Sequence, residues 1–146
     1  MSEHPVPNGS YRQPRLEHAR VSDAMRHGIF SCSADASLRE AARTMATQHV
    51  HMIVATSPAD GTPVGSLSDS ALLAALLDRG VEDPPLADVV EPELDTISSG
   101  APLGAAAELM RTRGTNHLLV RDPHSGRPVG VLSTLDIAGV LAWGEA

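Results

Sequence analysis

The sequence predicts a mixed α/β (α+β) protein built from two β-α-β-β-α units packed sheet to sheet with pseudo-two-fold symmetry. Three observations carry that prediction: a long internal repeat, one helix-spaced apolar face in each copy, and two short apolar runs around a Pro/Asp/Gly turn in each copy. Displacing the sequence by 65 positions lays residues 21–76 on 86–141 without a gap. Asp23 then meets Asp88, and Ser33, Ala36 and Leu38 meet Ser98, Ala101 and Leu103. Ala41, Ala42, Met45 and Thr47 meet Ala106, Ala107, Met110 and Thr112. Pro58, Gly61, Pro63, Val64, Gly65, Leu67 and Ser68 meet Pro123, Gly126, Pro128, Val129, Gly130, Leu132 and Ser133. Chance does not hold one register through a helix, a turn and two strands.

Each element follows from local chemistry. A short strand is expected near 29–32 and 94–97. Ser37-Leu38-Arg39-Glu40 reads as a capping box opening a helix, with Leu38, Ala41, Ala42 and Met45 on one face. In the second copy Pro102 takes the first-turn position, and Leu103, Ala106, Ala107 and Met110 make the face. An apolar strand follows near 51–55 and 117–121, then a turn from Ser57 to Thr62 and from Asp122 to Arg127. The next strand, near 63–67 and 128–132, closes a hairpin, and Ser68 and Ser133 cap the last helices. The expected organisation is a disordered tail over 1–19, a first repeat over 20–77, a linker over 78–85 and a second repeat over 86–143. Units this small need a shared core, and packing one sheet on the other supplies it.

Composition narrows the function. The chain has 146 residues and is 42% hydrophobic, but Tyr11, Phe30 and Trp143 are its only aromatics, so the core is aliphatic. Net charge is −7 and every basic residue is Arg. Such a chain repels phosphate backbones, so nucleic acid is not an expected partner, although a local Arg pair can hold one small phosphate. Cys32 is the only cysteine, which excludes an intrachain disulfide and fits a cytoplasmic setting. No apolar run is long enough to span a membrane, and the N-terminus does not read as a secretory signal.

The residues that carry most information are Gly130-Val131-Leu132-Ser133-Thr134-Leu135-Asp136, with Asp95-Thr96-Ile97-Ser98 and Asn116-His117-Leu118-Leu119-Val120 upstream. In this order, within a tandem β-α-β-β-α repeat, they resemble the cystathionine-β-synthase (CBS) domain pair, or Bateman module, over about residues 21–142. The resemblance implies a non-catalytic regulatory module with no resident cofactor. Its ligand would be AMP, ADP, ATP or S-adenosylmethionine, bound in the cleft between the repeats. Carried onto this sequence, Asp136 accepts hydrogen bonds from the ribose hydroxyls, and Ser133 and Thr134 contact phosphate. Backbone near Thr96 and Ile97 reads the adenine edge, and His117 and Leu118 line the pocket. It also implies a homodimer formed through helices, for which the Ala-rich stretches Ala71–Ala75 and Ala105–Ala107 permit close approach, and an unknown protein partner.

Residue chemistry supports the same site. A helix N-terminus offers backbone N–H groups and a positive dipole end to a phosphate. Gly130 lets backbone approach a ligand closely. The first repeat departs from the pattern: Gly65-Ser66-Leu67-Ser68-Asp69-Ser70-Ala71 has Ala71 where the carboxylate belongs. Asp69 lies two residues earlier, about 200° away around the helix. One good site per chain is therefore expected, and the first-repeat site is expected to be empty or altered.

Plainer readings compete. Ser133 and Asp136 also spell a helix cap that needs no ligand. His49, His51 and His117 invite a metal, but their spacing does not supply three or four converging ligands. Arg111 and Arg113 sit where cations complement a helix dipole, or reach a ligand phosphate. Cys32 reads as a core thiol, and Met45, Met52 and Met110 as core. No Gly-rich phosphate loop or nucleophile–base pair points to an enzyme. Besides the ligand sensor, two alternatives stand: a ligand-free dimerisation scaffold, and a small metal or redox protein using the histidines and Cys32.

Overall fold

A computed structural model describes residues 15–79, 82–92 and 95–144. In chain order these form α1 (Val21–Ala24), β1 (Arg26–His27), β2 (Ser31–Ser33), α2 (Leu38–Gln48), β3 (Met52–Thr56), β4 (Pro63–Ser68) and α3 (Asp69–Arg79). Then come β5 (Thr96–Ser98), α4 (Leu103–Arg113), β6 (His117–Arg121), β7 (Pro128–Ser133) and α5 (Thr134–Trp143). Short 3-10 turns lie at Leu16–His18 and Leu86–Asp88. The fold is mixed α/β, with a three-stranded sheet in the order β2-β3-β4 and a four-stranded sheet in the order β1-β7-β6-β5. In each, the hairpin is antiparallel and the strand before the long helix pairs parallel to it.

The chain divides into two compact units, Ile29–Leu94 in one, and the described residues up to Gly28 together with those from Asp95 in the other. The segment preceding each repeat thus packs with the opposite repeat, and the 65-residue offset survives the exchange. Leu38 N donates to Pro84 O at 2.9 Å, and Leu103 N donates to Ala19 O at 2.9 Å. Leu86 N donates to Ala36 O at 2.7 Å, and Val21 N donates to Ala101 O at 2.9 Å. Ser66 bridges to Glu91, and Val131 pairs with Arg26. The two close approaches fall at equivalent glycines. A Cβ on Gly65 would lie 2.7 Å from the Glu91 carbonyl oxygen, and one on Gly130 would overlap the Arg26 carbonyl.

Each unit has its own aliphatic core. Leu38, Ala41, Met45, Ile53, Leu67 and Leu86 pack in the first; Val21, Leu103, Ala106, Met110, Leu118, Leu132 and Val140 pack in the second. Each large aliphatic side chain buried this way contributes about 1.5–3 kcal/mol. Of the expected tail over 1–19, residues 1–14 lie outside the described residues, whereas Leu16–His18 form a turn and Ala19 is buried, so these last residues belong to the fold. The expected linker is partly structural too, since α3 includes Asp78 and the Asp83 carboxylate accepts from Arg39 N at 2.8 Å. Ser37 caps α2 by accepting from Glu40 N at 3.1 Å. Helix α2 ends on His49 in the left-handed region at φ 55, and α4 ends on Gly114 at φ 64, where only the glycine avoids a Cβ clash.

Candidate functional site

Strand register builds the site at one end of the four-stranded sheet. β6 begins where β7 ends, so His117 stands opposite Ser133 and Leu118 opposite Leu132. α5 starts at once from Ser133, and Thr134 N donates to the Asn116 carbonyl at 3.1 Å, tying the helix start to the strand start. Ser133 Oγ accepts from Asp136 N at 3.2 Å, and Asp136 Oδ2 accepts from Ser133 N at 2.9 Å. That reciprocal capping box fixes the carboxylate. Among the described residues Oδ1 takes no hydrogen bond, so its lone pairs remain to accept from a ligand hydroxyl.

The other predicted residues divide. Thr96 on β5 pairs with Leu119 of β6, two residues along that strand from His117, and both Thr96 and Ile97 are half-buried. Leu118 points the opposite way from His117, as alternation along a strand requires, and is fully buried in the core. Its side chain lines no accessible surface; only its backbone stays in reach of a ligand. Gly130 pairs with Val120, three residues from Ser133, about 10 Å along the strand. The space beside it holds the Arg26 carbonyl, so strand packing accounts for the missing Cβ. The cluster the fold brings together is therefore His117, Ser133, Thr134 and Asp136, with Thr96 and Ile97 on the neighbouring strand.

Sequence reasoning passed over Asn116 and the groove beside it. A cavity of about 480 Å³ runs between α4 and the start of α5, lined by Ala107, Met110, Arg111, Gly114, Thr115, Asn116, Thr134 and Ile137. Of the predicted site residues it includes Thr134 alone. Arg111 lies 3.9 Å from Glu108 and Arg113 lies 3.7 Å from Asp95.

The first repeat builds a different helix start. Ser68 Oγ accepts from Ala71 N at 3.1 Å, with no carboxylate returning the bond. Asp69 instead accepts from Ser70 N at 2.8 Å and meets His51 Nδ1 at 2.8 Å. Ala71 and Ala75 pack toward the core, so the outer side of α3 carries Leu73 and Leu77, whereas Ala105 and Ala107 on α4 are exposed. Among the described residues no three His, Cys, Asp or Glu side chains gather as metal ligands. Cys32 is a half-buried thiol 3.7 Å from the Thr44 hydroxyl. No helix of the described residues is long and apolar enough to cross a membrane.

Comparison with known proteins agrees with this architecture. The CBS domain model matches residues 21–78 and again 86–142. A CBS domain protein from Pyrobaculum aerophilum, complexed with AMP, is 29% identical with a TM-score of 0.73, covering 84% of this chain and 98% of its own. An uncharacterized conserved protein from Pyrococcus horikoshii is 24% identical with a TM-score of 0.76, over 84% and 91% of the two chains. A CBS domain pair in complex with 5′-methylthioadenosine and S-adenosyl-L-methionine is 18% identical with a TM-score of 0.75, over 85% and 96%. No curated protein sequence matches significantly.

Proposed function

The chain belongs to the CBS-domain family, and from that premise we propose that it is a non-catalytic regulatory module, working in the cytoplasm, that binds an adenine nucleotide or related adenosyl ligand at the start of α5. The observation that carries the proposal is the Ser133–Asp136 arrangement, with one carboxylate oxygen locked by the backbone and the other left to accept. Ser133 and Thr134 at the helix N-terminus suit a phosphate. His117 opposite Ser133, and the Thr96–Ile97 backbone on the next parallel strand, give the base a wall. The AMP complex of the 29%-identical Pyrobaculum protein supports an adenosine ligand. The first repeat, with Ala71 in place of the acid and Asp69 turned to His51, is not expected to bind the ligand equivalently.

The signalling role follows only where the ligand's affinity differs between two states of the module or of its complex with a protein partner. A homodimer through α4 and α5 suits such a switch: Ala105, Ala107, Leu135, Leu141 and Ala142 are exposed there. A second reading, a ligand-free scaffold, is favoured by the capping box itself, which satisfies Ser133 and Asp136 without a ligand.

A thermal-shift screen with AMP, ADP, ATP and S-adenosylmethionine separates the two. Ligand at about one hundred times its dissociation constant adds about 2.7 kcal/mol, a rise of roughly 9 °C for a chain of this size. Asp136→Asn keeps a capping acceptor but lacks the charge; it should keep most of the stability and weaken ligand binding at least about tenfold. No shift with any of the four compounds favours the scaffold.

A further inference from the structure

The adenosine site leaves the groove between α4 and α5 unused, since the two share Thr134 alone. The lining of that groove is divided by chemistry. Ala107, Met110 and Ile137 give it an apolar floor. Asn116 and Thr134, joined by their 3.1 Å backbone bond, stand beside the helix start that holds Asp136. Among the described residues Arg111 is the one charged side chain lining it. Its partner Glu108 lies 3.9 Å away, and with side chains 85% and 70% exposed this pair holds the guanidinium only weakly. The Thr115 hydroxyl is taken by the His117 backbone, but among the described residues the Asn116 amide and the Thr134 hydroxyl make no side-chain hydrogen bond.

We propose that this groove receives an α-amino-acid tail carried on the 5′ carbon of the adenosyl ligand. The tail's carboxylate pairs with Arg111, its ammonium donates to Asn116 Oδ1 and Thr134 Oγ1, and its methylene stem lies over Met110 and Ile137. The inference rests on the adenosyl site proposed above and names its ligand class: adenosyl amino acids, S-adenosylmethionine among them, ahead of the nucleotides. Charge makes the choice. One guanidinium matches one carboxylate through two parallel hydrogen bonds. A polyphosphate sets several negative charges against that single cation, with Glu108 beside it, and gains nothing from an apolar floor. A monophosphate ends at Ser133 and Thr134, and a methylthio group covers the floor but leaves Arg111 without its anion. The polar groups the tail needs stand where α4 ends and α5 begins, at the margin of the α4–α5 surface proposed above for self-association.

The test is isothermal titration calorimetry with S-adenosylhomocysteine, which keeps the tail without the sulfonium charge, beside S-adenosylmethionine, 5′-methylthioadenosine, AMP and ATP. Both tailed ligands should bind at least about tenfold more tightly than 5′-methylthioadenosine, and more tightly than ATP. Arg111→Ala, at an exposed residue, should remove that advantage and leave 5′-methylthioadenosine and AMP nearly unchanged. Arg127→Ala makes the same net-charge change at the turn end of the β6–β7 hairpin, away from the groove, and should alter no affinity. Equal binding of tailed and tailless compounds overturns the tail assignment and leaves the adenosyl site standing. So does an ATP preference that Arg111→Ala abolishes, which makes the groove a polyphosphate subsite, and so does an equal loss in Arg127→Ala, which marks diffuse attraction. No heat with any of the five compounds overturns this inference and the adenosyl site together.

Discussion

Gly130→Ala, paired with Gly65→Ala and Gly104→Ala, separates two reasons for a glycine ahead of the last helix. At Gly65 the new Cβ would lie 2.7 Å from both the Glu91 carbonyl oxygen and Val90 Cγ2, where 3.4 Å begins ordinary contact. At Gly130 the overlap with the Arg26 carbonyl is tighter still. A backbone carbonyl cannot rotate aside, so β1 must shift and loosen its pairing with β7, including the Gly28 N to Val129 O bond of 2.8 Å. Overpacking with one or two weakened backbone bonds costs about 2–4 kcal/mol, which lowers the melting temperature by roughly 6–12 °C at this chain length. Gly104, inside α4 with nothing within 4 Å of its added Cβ, should instead gain about 0.5–1 kcal/mol as alanine. Urea unfolding followed by circular dichroism reads all three as midpoint shifts at constant slope. A Gly130→Ala protein with the parent's midpoint refutes the packing argument. If that protein has also lost AMP binding, the glycine makes room for ligand.

Three other results are expected. Val21 and Leu86 occupy equivalent places in opposite units, both fully buried; Leu86→Ala should cost about 2–5 kcal/mol and speed hydrogen exchange in α2 and β3, whereas Val21→Ala should speed it in α4 and β6. The exchanged docking fails if Leu86→Ala loosens α4 and β6 first. The Thr62 hydroxyl at 2.8 Å, then the Thr62 amide at 3.1 Å, hold the Asp60 carboxyl below its ordinary value of 3.8. Because the folded pKa is the lower one, this stabilisation is present above 3.8 and lost as pH falls through the folded value. Asp60→Asn, which mimics the protonated acid, should therefore unfold more readily than the parent at neutral pH and match it in strong acid; a gap that persists in acid contradicts the assignment. Asp122, held low by the His124 amide in the equivalent hairpin, should give the same pattern as Asp122→Asn.

Much of the fold is legible because the repeat is legible. Helix faces such as Leu38, Ala41 and Met45, and the hairpins ending at Ser68 and Ser133, are encoded locally and recur at one offset. The strands before the long helices were expected near 29–32 and 94–97 but pair at Ser31–Ser33 and Thr96–Ser98, because a parallel edge is set by its partner strand. The exchange of leading segments was invisible: Val21 and Leu86 are equivalent apolar residues, and nothing local says which core each enters. A signal existed in Gly65 and Gly130, which recur although only one repeat keeps the acid. A glycine held where the acid is lost belongs to packing. Ser133 and Asp136 were legible because capping is local, whereas Leu118 was misplaced for want of knowing which strand face meets the core.

Titrating AMP while following backbone amide resonances tests the ligand reading most directly. The perturbed amides should centre on His117 and Thr134–Asp136, with the Ser68–Ala71 amides unmoved. A silent spectrum at saturating nucleotide, or changes gathered around Ser68 and His51, would contradict it.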